Sequence, residues 1–182
     1  MAILKIAKMG HPILCKKAEK IKDPTSKDVK ILVKDMLETL DDLGGVGVGL
    51  AAPQVHVSKQ IIIFRILDDQ EKESDEIKIT ALINPNITKI SEETENQWEG
   101  CLSIPGMLGL VKRHSSISYE GFDISGNKIQ RNAEGLEARI IQHECDHLNG
   151  IVFTHRLVDK KAYGYTDEIE EYWKKKELYS KQ

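Results

Sequence analysis

The chain has 182 residues, a mass of 20.6 kDa and a net charge of −3 at pH 7; 40% of its residues are hydrophobic and 30% charged. That size and balance predict one globular domain over residues 1–182 and exclude a disordered chain. The slight acidity leaves no overall polyanion-binding footprint, and no apolar run approaches the ~20 residues of a membrane span, so neither nucleic acid nor membrane is an expected partner.

Taken in chain order, MAILKIAKMGHPILCKK mixes Lys5, Lys8 and Pro12 into its apolar residues, which breaks a signal-peptide core and predicts a cytoplasmic location. The three cysteines, Cys15, Cys101 and Cys145, have no framework spacing and point to packing or metal binding instead of disulfides. Residues 25–42 are expected to be a helix: Val29, Leu32, Val33, Met36, Leu37 and Leu40 share a face, Asp23-Pro24-Thr25-Ser26 starts it and Gly44-Gly45 stops it. Gln60–Leu67 is a β-branched strand, and Asp68–Glu76 a charged loop. Thr80–Asn84 and Asn86–Ile90 are expected as short strands around Pro85. Ser116–Phe122 and Lys128–Arg131 form a hairpin across Gly126-Asn127. A second helix is expected from Glu134 to Leu148 and a third from Asp167 to Leu178, capped by Thr166. Strands separated by few helices predict an α+β fold, a single domain with antiparallel or mixed β-sheets around a central metal-binding helix.

The chemistry concentrates in the second helix. HECDH at 143–147 fits H-E-x-x-H: His143 and His147 lie one turn apart and can reach one ion, with Glu144 beside them to take a proton from a water that the ion acidifies. The opposite stripe, Ala138, Ile141, Cys145 and Leu148, is apolar and faces a core. A catalytic site needs a third ligand. His155 comes two residues later than the third histidine of the metzincin extension, up to ~6.6 Å along an extended chain. Cys101, in a tight loop EGCLSIPG between Gly100 and a Pro105-Gly106 turn signal, is the better candidate, because a residue beside a glycine can approach a metal closely and thiolate and two imidazoles form a known zinc set. In GVGVGLAAPQ, 45–54, the order of elements and Pro53 exclude nucleotide binding; the glycines allow close approach to a ligand, and Gln54 offers an amide to a developing oxyanion.

Three segments together, GVGLAAPQ at 47–54, EGCLS at 99–103 and QHECDHLNG at 142–150, resemble the motifs of peptide deformylase, G-x-G-L-A-A-x-Q, E-G-C-L-S and Q-H-E-x-D-H-L-x-G. The resemblance implies a metal-dependent amidase that removes the formyl group from the N-terminal formyl-methionine of new polypeptides and releases formate. It implies Cys101, His143 and His147 as metal ligands, Glu144 as base and then acid, and Gln54 with the Leu102 N–H around the formyl oxygen. It also implies Fe²⁺ as the ion, with Zn²⁺, Ni²⁺ or Co²⁺ as substitutes, and the ribosome as a conceivable partner. Gly100, Val48, Gly49 and Arg113 are then expected to face the peptide, and Leu136 and Ile140 the methionine side chain, with Arg139 unexpectedly polar on that face. The competing readings are a zincin-type metallopeptidase, carried by H-E-x-x-H and Gly150, and an inactive deformylase-like binding module.

Overall fold

The computed structural model describes residues 2–44, 47–67 and 77–174. The charged loop expected at 68–76 and the expected third helix beyond residue 174 lie outside the described residues, as does Gly45.

Helix α1 (Lys27–Asp42) starts where the Ser26 hydroxyl accepts the Val29 N–H at 3.4 Å, a side-chain cap for an otherwise unpaired first-turn donor. Eight strands follow among the described residues: β1 (Gly49–Ala51), β2 (Ile61–Leu67), β3 (Ile77–Ile90), β4 (Thr94–Cys101), β5 (Ile104–His114), β6 (Ser116–Phe122), β7 (Lys128–Glu134) and, after helix α2 (Gly135–Leu148), β8 (Tyr163–Tyr165). They form a five-stranded sheet in the order β1-β2-β3-β6-β7 and a three-stranded sheet in the order β4-β5-β8, antiparallel throughout. This is the expected α+β class.

The two-residue period of β2 explains the layering. Ile61 and Ile63 pack with Val29, Val33, Met36 and Leu40 of α1, whereas Ile62 and Phe64 pack with Leu82, Tyr119 and the Ala138, Ile141, Cys145, Leu148 stripe of α2. Each fully buried chain of this size contributes roughly 1.5–3 kcal/mol. The large sheet therefore lies between two helices, and α2 is held from its other side by β5 and the cluster of Leu14, Ile104, Val111, Val152 and Phe153. Both flanks of α2 are held by neighbours, and its His143 face borders a cavity.

Three expectations change. The two short strands around Pro85 are one strand, β3, whose register slips between Ile83 and Asn86. Asn84 sits at φ 50 and bonds both the N–H and the carbonyl of Ile21 at 2.8 Å, so a bulge accommodates the proline that cannot donate to the ladder. EGCLSIPG is not a tight loop: Cys101 ends β4, the turn is at Leu102 and Ser103, and Pro105 and Gly106 lie within β5. The last helical segment begins at Thr166 with Tyr165 as its cap, three residues of α-helix widening into a π-helix over Ile169–Lys174. Gly150 ends α2 at φ 72, and a Cβ there would stand 2.7 Å from the Cys15 carbonyl carbon and 2.9 Å from the Lys16 nitrogen. Glycine is therefore needed for the turn and for the N-terminal segment that crosses it.

Candidate active site

Helix spacing brings His143 and His147 together, with ring centroids 5.0 Å apart. Cys101 reaches them from β4 because the β4–β5 register slips between Glu99 and Cys101, which re-aims the end of the strand. The ligand atoms of Cys101, His143 and His147 lie within 4.8 Å of one another. Cys101 Sγ is 3.3 Å from His147 Nε2, 3.4 Å from the Ser103 N–H nitrogen and 3.5 Å from Gln54 Nε2. Gln54, 1% exposed, is fixed by its own chain: its Oε1 accepts the Ala51 N–H at 2.8 Å, so its Nε2 can only turn toward Cys101 and Ser103 Oγ.

Behind the histidines lies a buried charge network. Glu99 accepts from His143 Nδ1 at 3.0 Å, from Arg113 Nε and an Arg113 Nη at 3.0 Å each, and from Arg139 at 2.6 Å. Burial alone would raise the Glu99 pKa, but the bonds from His143 and Arg113 outweigh it and hold the carboxyl at about 2. Arg113 also binds Asp146, which pairs with Arg156 at 2.8 Å. Burial opposes charge on His143 too, yet its bonds to Cys101 and Glu99 raise its pKa to about 10. His147 is shifted the other way, well below the usual imidazole range, by burial and by the neighbouring His143, so it meets an ion as a neutral donor. With one sulfur and two nitrogens converging, these residues fit a divalent cation in the proton's place.

Glu144 is 4% exposed; burial pushes its carboxyl up to about 7, and its Oε2 has no hydrogen-bond partner. A Cβ on Gly49 would meet the Glu144 Cδ at 2.9 Å, so the absence of a side chain lets β1 lie against this carboxylate. A carboxyl near pH 7 with a free oxygen suits proton transfer in both directions.

A cavity of about 620 Å³ opens over these groups. Val48, Gly49, Gln54, Gly100, Cys101, Leu102, Leu136, Ile140, His143 and Glu144 all line it, while His147 completes the ligand group from beneath. Arg113 does not line it: 5% exposed and bound to Glu99 and Asp146, it is spent inside the network, which corrects the expectation that it faces a peptide. His155 is exposed in the 3-10 turn Phe153–Arg156 and stands outside the ligand group. Cys145 faces the sheet, where burial pushes its thiol up to about 12. Sequence reasoning missed Glu99, Ser103 and Asp146. The acid that opens EGCLS and the aspartate inside HECDH were the available signals, since a charge amid apolar segments implies a buried partner.

The family model for polypeptide deformylase matches residues 3–163. The chain belongs to the polypeptide deformylase family. Among its relatives, peptide deformylase 1 of Nitrosomonas europaea is 42% identical over 165 residues, covering 90% of this chain and 93% of the relative. Peptide deformylase 1 of Bordetella pertussis is 43% identical over the same shares. Among solved structures, the Met-Ala-Ser-bound class I type b peptide deformylase of Acinetobacter baumannii superposes with a TM-score of 0.77 at 34% identity, covering 86% of this chain and 99% of that one. The Thermotoga maritima peptide deformylase gives 0.78 at 32% identity, over 87% and 100%. As a deformylase the chain is a metal-dependent hydrolase that removes the N-terminal formyl group from newly made polypeptides.

Proposed function

We propose that residues 1–182 form one catalytic domain in which Cys101, His143 and His147 hold the ion, Fe²⁺ in its active form, with Zn²⁺, Ni²⁺ or Co²⁺ able to replace it. The observation that carries the assignment is the convergence of those three ligand atoms within 4.8 Å beside the unpartnered oxygen of Glu144. When bound, the ion supplies Lewis acidity that polarises the formyl group and acidifies a water. Glu144 takes the water's proton as the oxygen adds to the formyl carbon, then delivers it to the amide nitrogen as the C–N bond breaks; formate and a free amine leave. Gln54 Nε2 and the Leu102 N–H donate to the oxygen that gains charge. Leu102 is anchored for this, since Lys8 Nζ donates to its carbonyl at 3.0 Å.

The peptide runs as an added strand past Val48 and Gly49, with Gly100 across the cavity, and its first side chain enters between Leu136 and Ile140. A cytoplasmic location and the ribosome as the partner that delivers the chain follow from such a substrate; no helix among the described residues is long and apolar enough to cross a membrane. The zincin reading is disfavoured because the third sulfur or nitrogen near His143 and His147 is Cys101 and not His155.

Anaerobic release of formate from formyl-Met-Ala-Ser by the iron-, nickel- or cobalt-loaded chain tests the activity, and no turnover with any of the three ions removes it. Cys101→Ser is expected to lose bound metal and activity while His155→Ala keeps both; the reverse pattern overturns the ligand set.

A further inference from the structure

Arg139 is the one strongly basic residue of α2, and it lines the same cavity as Leu136 and Ile140. Leu136 is 61% exposed, whereas Arg139 and Ile140 are 6% exposed, so Leu136 stands at the rim of the cavity and Arg139 and Ile140 line its buried part. The guanidinium is not free to swing aside. One Nη donates to Glu99 Oε1 at 2.6 Å and to the Val111 carbonyl at 3.2 Å, and the other to the Glu95 carbonyl at 2.8 Å. Those acceptors lie on two neighbouring strands, and moving the arginine out would cost the bond to the buried Val111 carbonyl and one of the bonds to Glu99. A side chain tied at three points behaves as a fixed wall. Glu99 does not depend on it for charge balance, because Arg113 keeps two bonds to the same carboxylate.

We infer that Arg139 is a specificity-determining residue: it closes the deep end of the pocket for the substrate's first side chain, and so admits an unbranched chain of methionine's length and rejects longer ones. This rests on the assignment of Leu136 and Ile140 to that pocket. Shortening the arginine opens room behind the bound side chain, and a substrate one methylene longer than methionine gains the contact.

The test compares kcat/KM for formyl-Met-Ala-Ser with that for its S-ethyl homologue and for formyl-Phe-Ala-Ser, in the metal-loaded wild type, Arg139→Ala and Arg139→Gln. Bound metal is measured alongside, and so is the affinity for the unformylated peptides, which reads the pocket without turnover. Arg139→Ala is expected to raise the S-ethyl to methionyl ratio about tenfold or more, since a methylene in an apolar pocket is worth roughly that in discrimination. Arg139→Gln, shorter but still able to donate toward Glu99, shifts the ratio the same way and serves if the alanine variant does not fold. A common fall for all peptides, or an unmoved ratio in turnover and binding, overturns the role of Arg139 while leaving the deformylase assignment intact. No formate from any peptide with wild-type protein overturns the assignment itself, and this inference with it.

Discussion

Glu99→Gln separates the network behind the metal ligands from the ligands themselves. The glutamine keeps the shape of the side chain but replaces one acceptor oxygen with a donor. In one orientation its NH₂ faces Arg113 and His143 Nδ1; in the other it faces Arg113 and Arg139. Either way donor meets donor in a place where Glu99 is 6% exposed and water cannot intervene freely. Breaking a buried, paired charge costs about 3–5 kcal/mol. For a chain of this size each kcal/mol moves Tm by about 2–4 °C, so the metal-free variant is expected to melt about 6–20 °C lower. In the first orientation His143 also loses the acceptor that fixes its ring, which lowers metal affinity about 10–100-fold. Scanning calorimetry of the metal-free proteins reads the first effect, and competition with a chelator the second. A metal-free Tm within about 2 °C of wild type, with unchanged metal affinity, would refute a structural and orienting role for Glu99.

Glu144→Gln leaves Cys101, His143 and His147 in place and is expected to retain its metal while kcat falls about 10²–10⁴-fold; metal analysis beside formate release checks both, and a retained rate removes Glu144 as the proton carrier. Gly150→Ala forces a side chain into φ 72 and against the Cys15 and Lys16 backbone, so a loss above about 2 kcal/mol is expected in denaturant unfolding. An unchanged midpoint would show that the N-terminal segment can shift away at little cost.

Periodicity made α1 and α2 legible. Their buried stripes repeat at helical spacing, and on α2 that spacing also placed His143, Glu144 and His147 together. The β4–β5 hairpin was not legible, for a physical reason. TENQWEGC is polar and mostly exposed, so it carries no alternation, and the Pro105-Gly106 pair imitates a turn two residues past the real one. The arginines failed differently. Arg113 and Arg139 look like solvent- or ligand-facing groups until Glu99 is brought to them from another strand, 14 and 40 residues away in sequence. A long-range charge pair has no local signature.

The same layering that aims two histidines at a cavity also sorts the molecule's sulfur chemistry. A thiol reacts as its thiolate and only where a reagent can reach it. Cys15 is exposed, Cys145 is buried with its thiol raised to about 12, and Cys101 lies half-buried among the groups that would bind an ion. An alkylating reagent added to the native protein therefore meets one sulfur that always answers, one that stays silent until the fold opens, and one whose answer depends on what the site holds. Counting modified cysteines becomes a readout of occupancy that requires neither substrate nor spectroscopy of the ion.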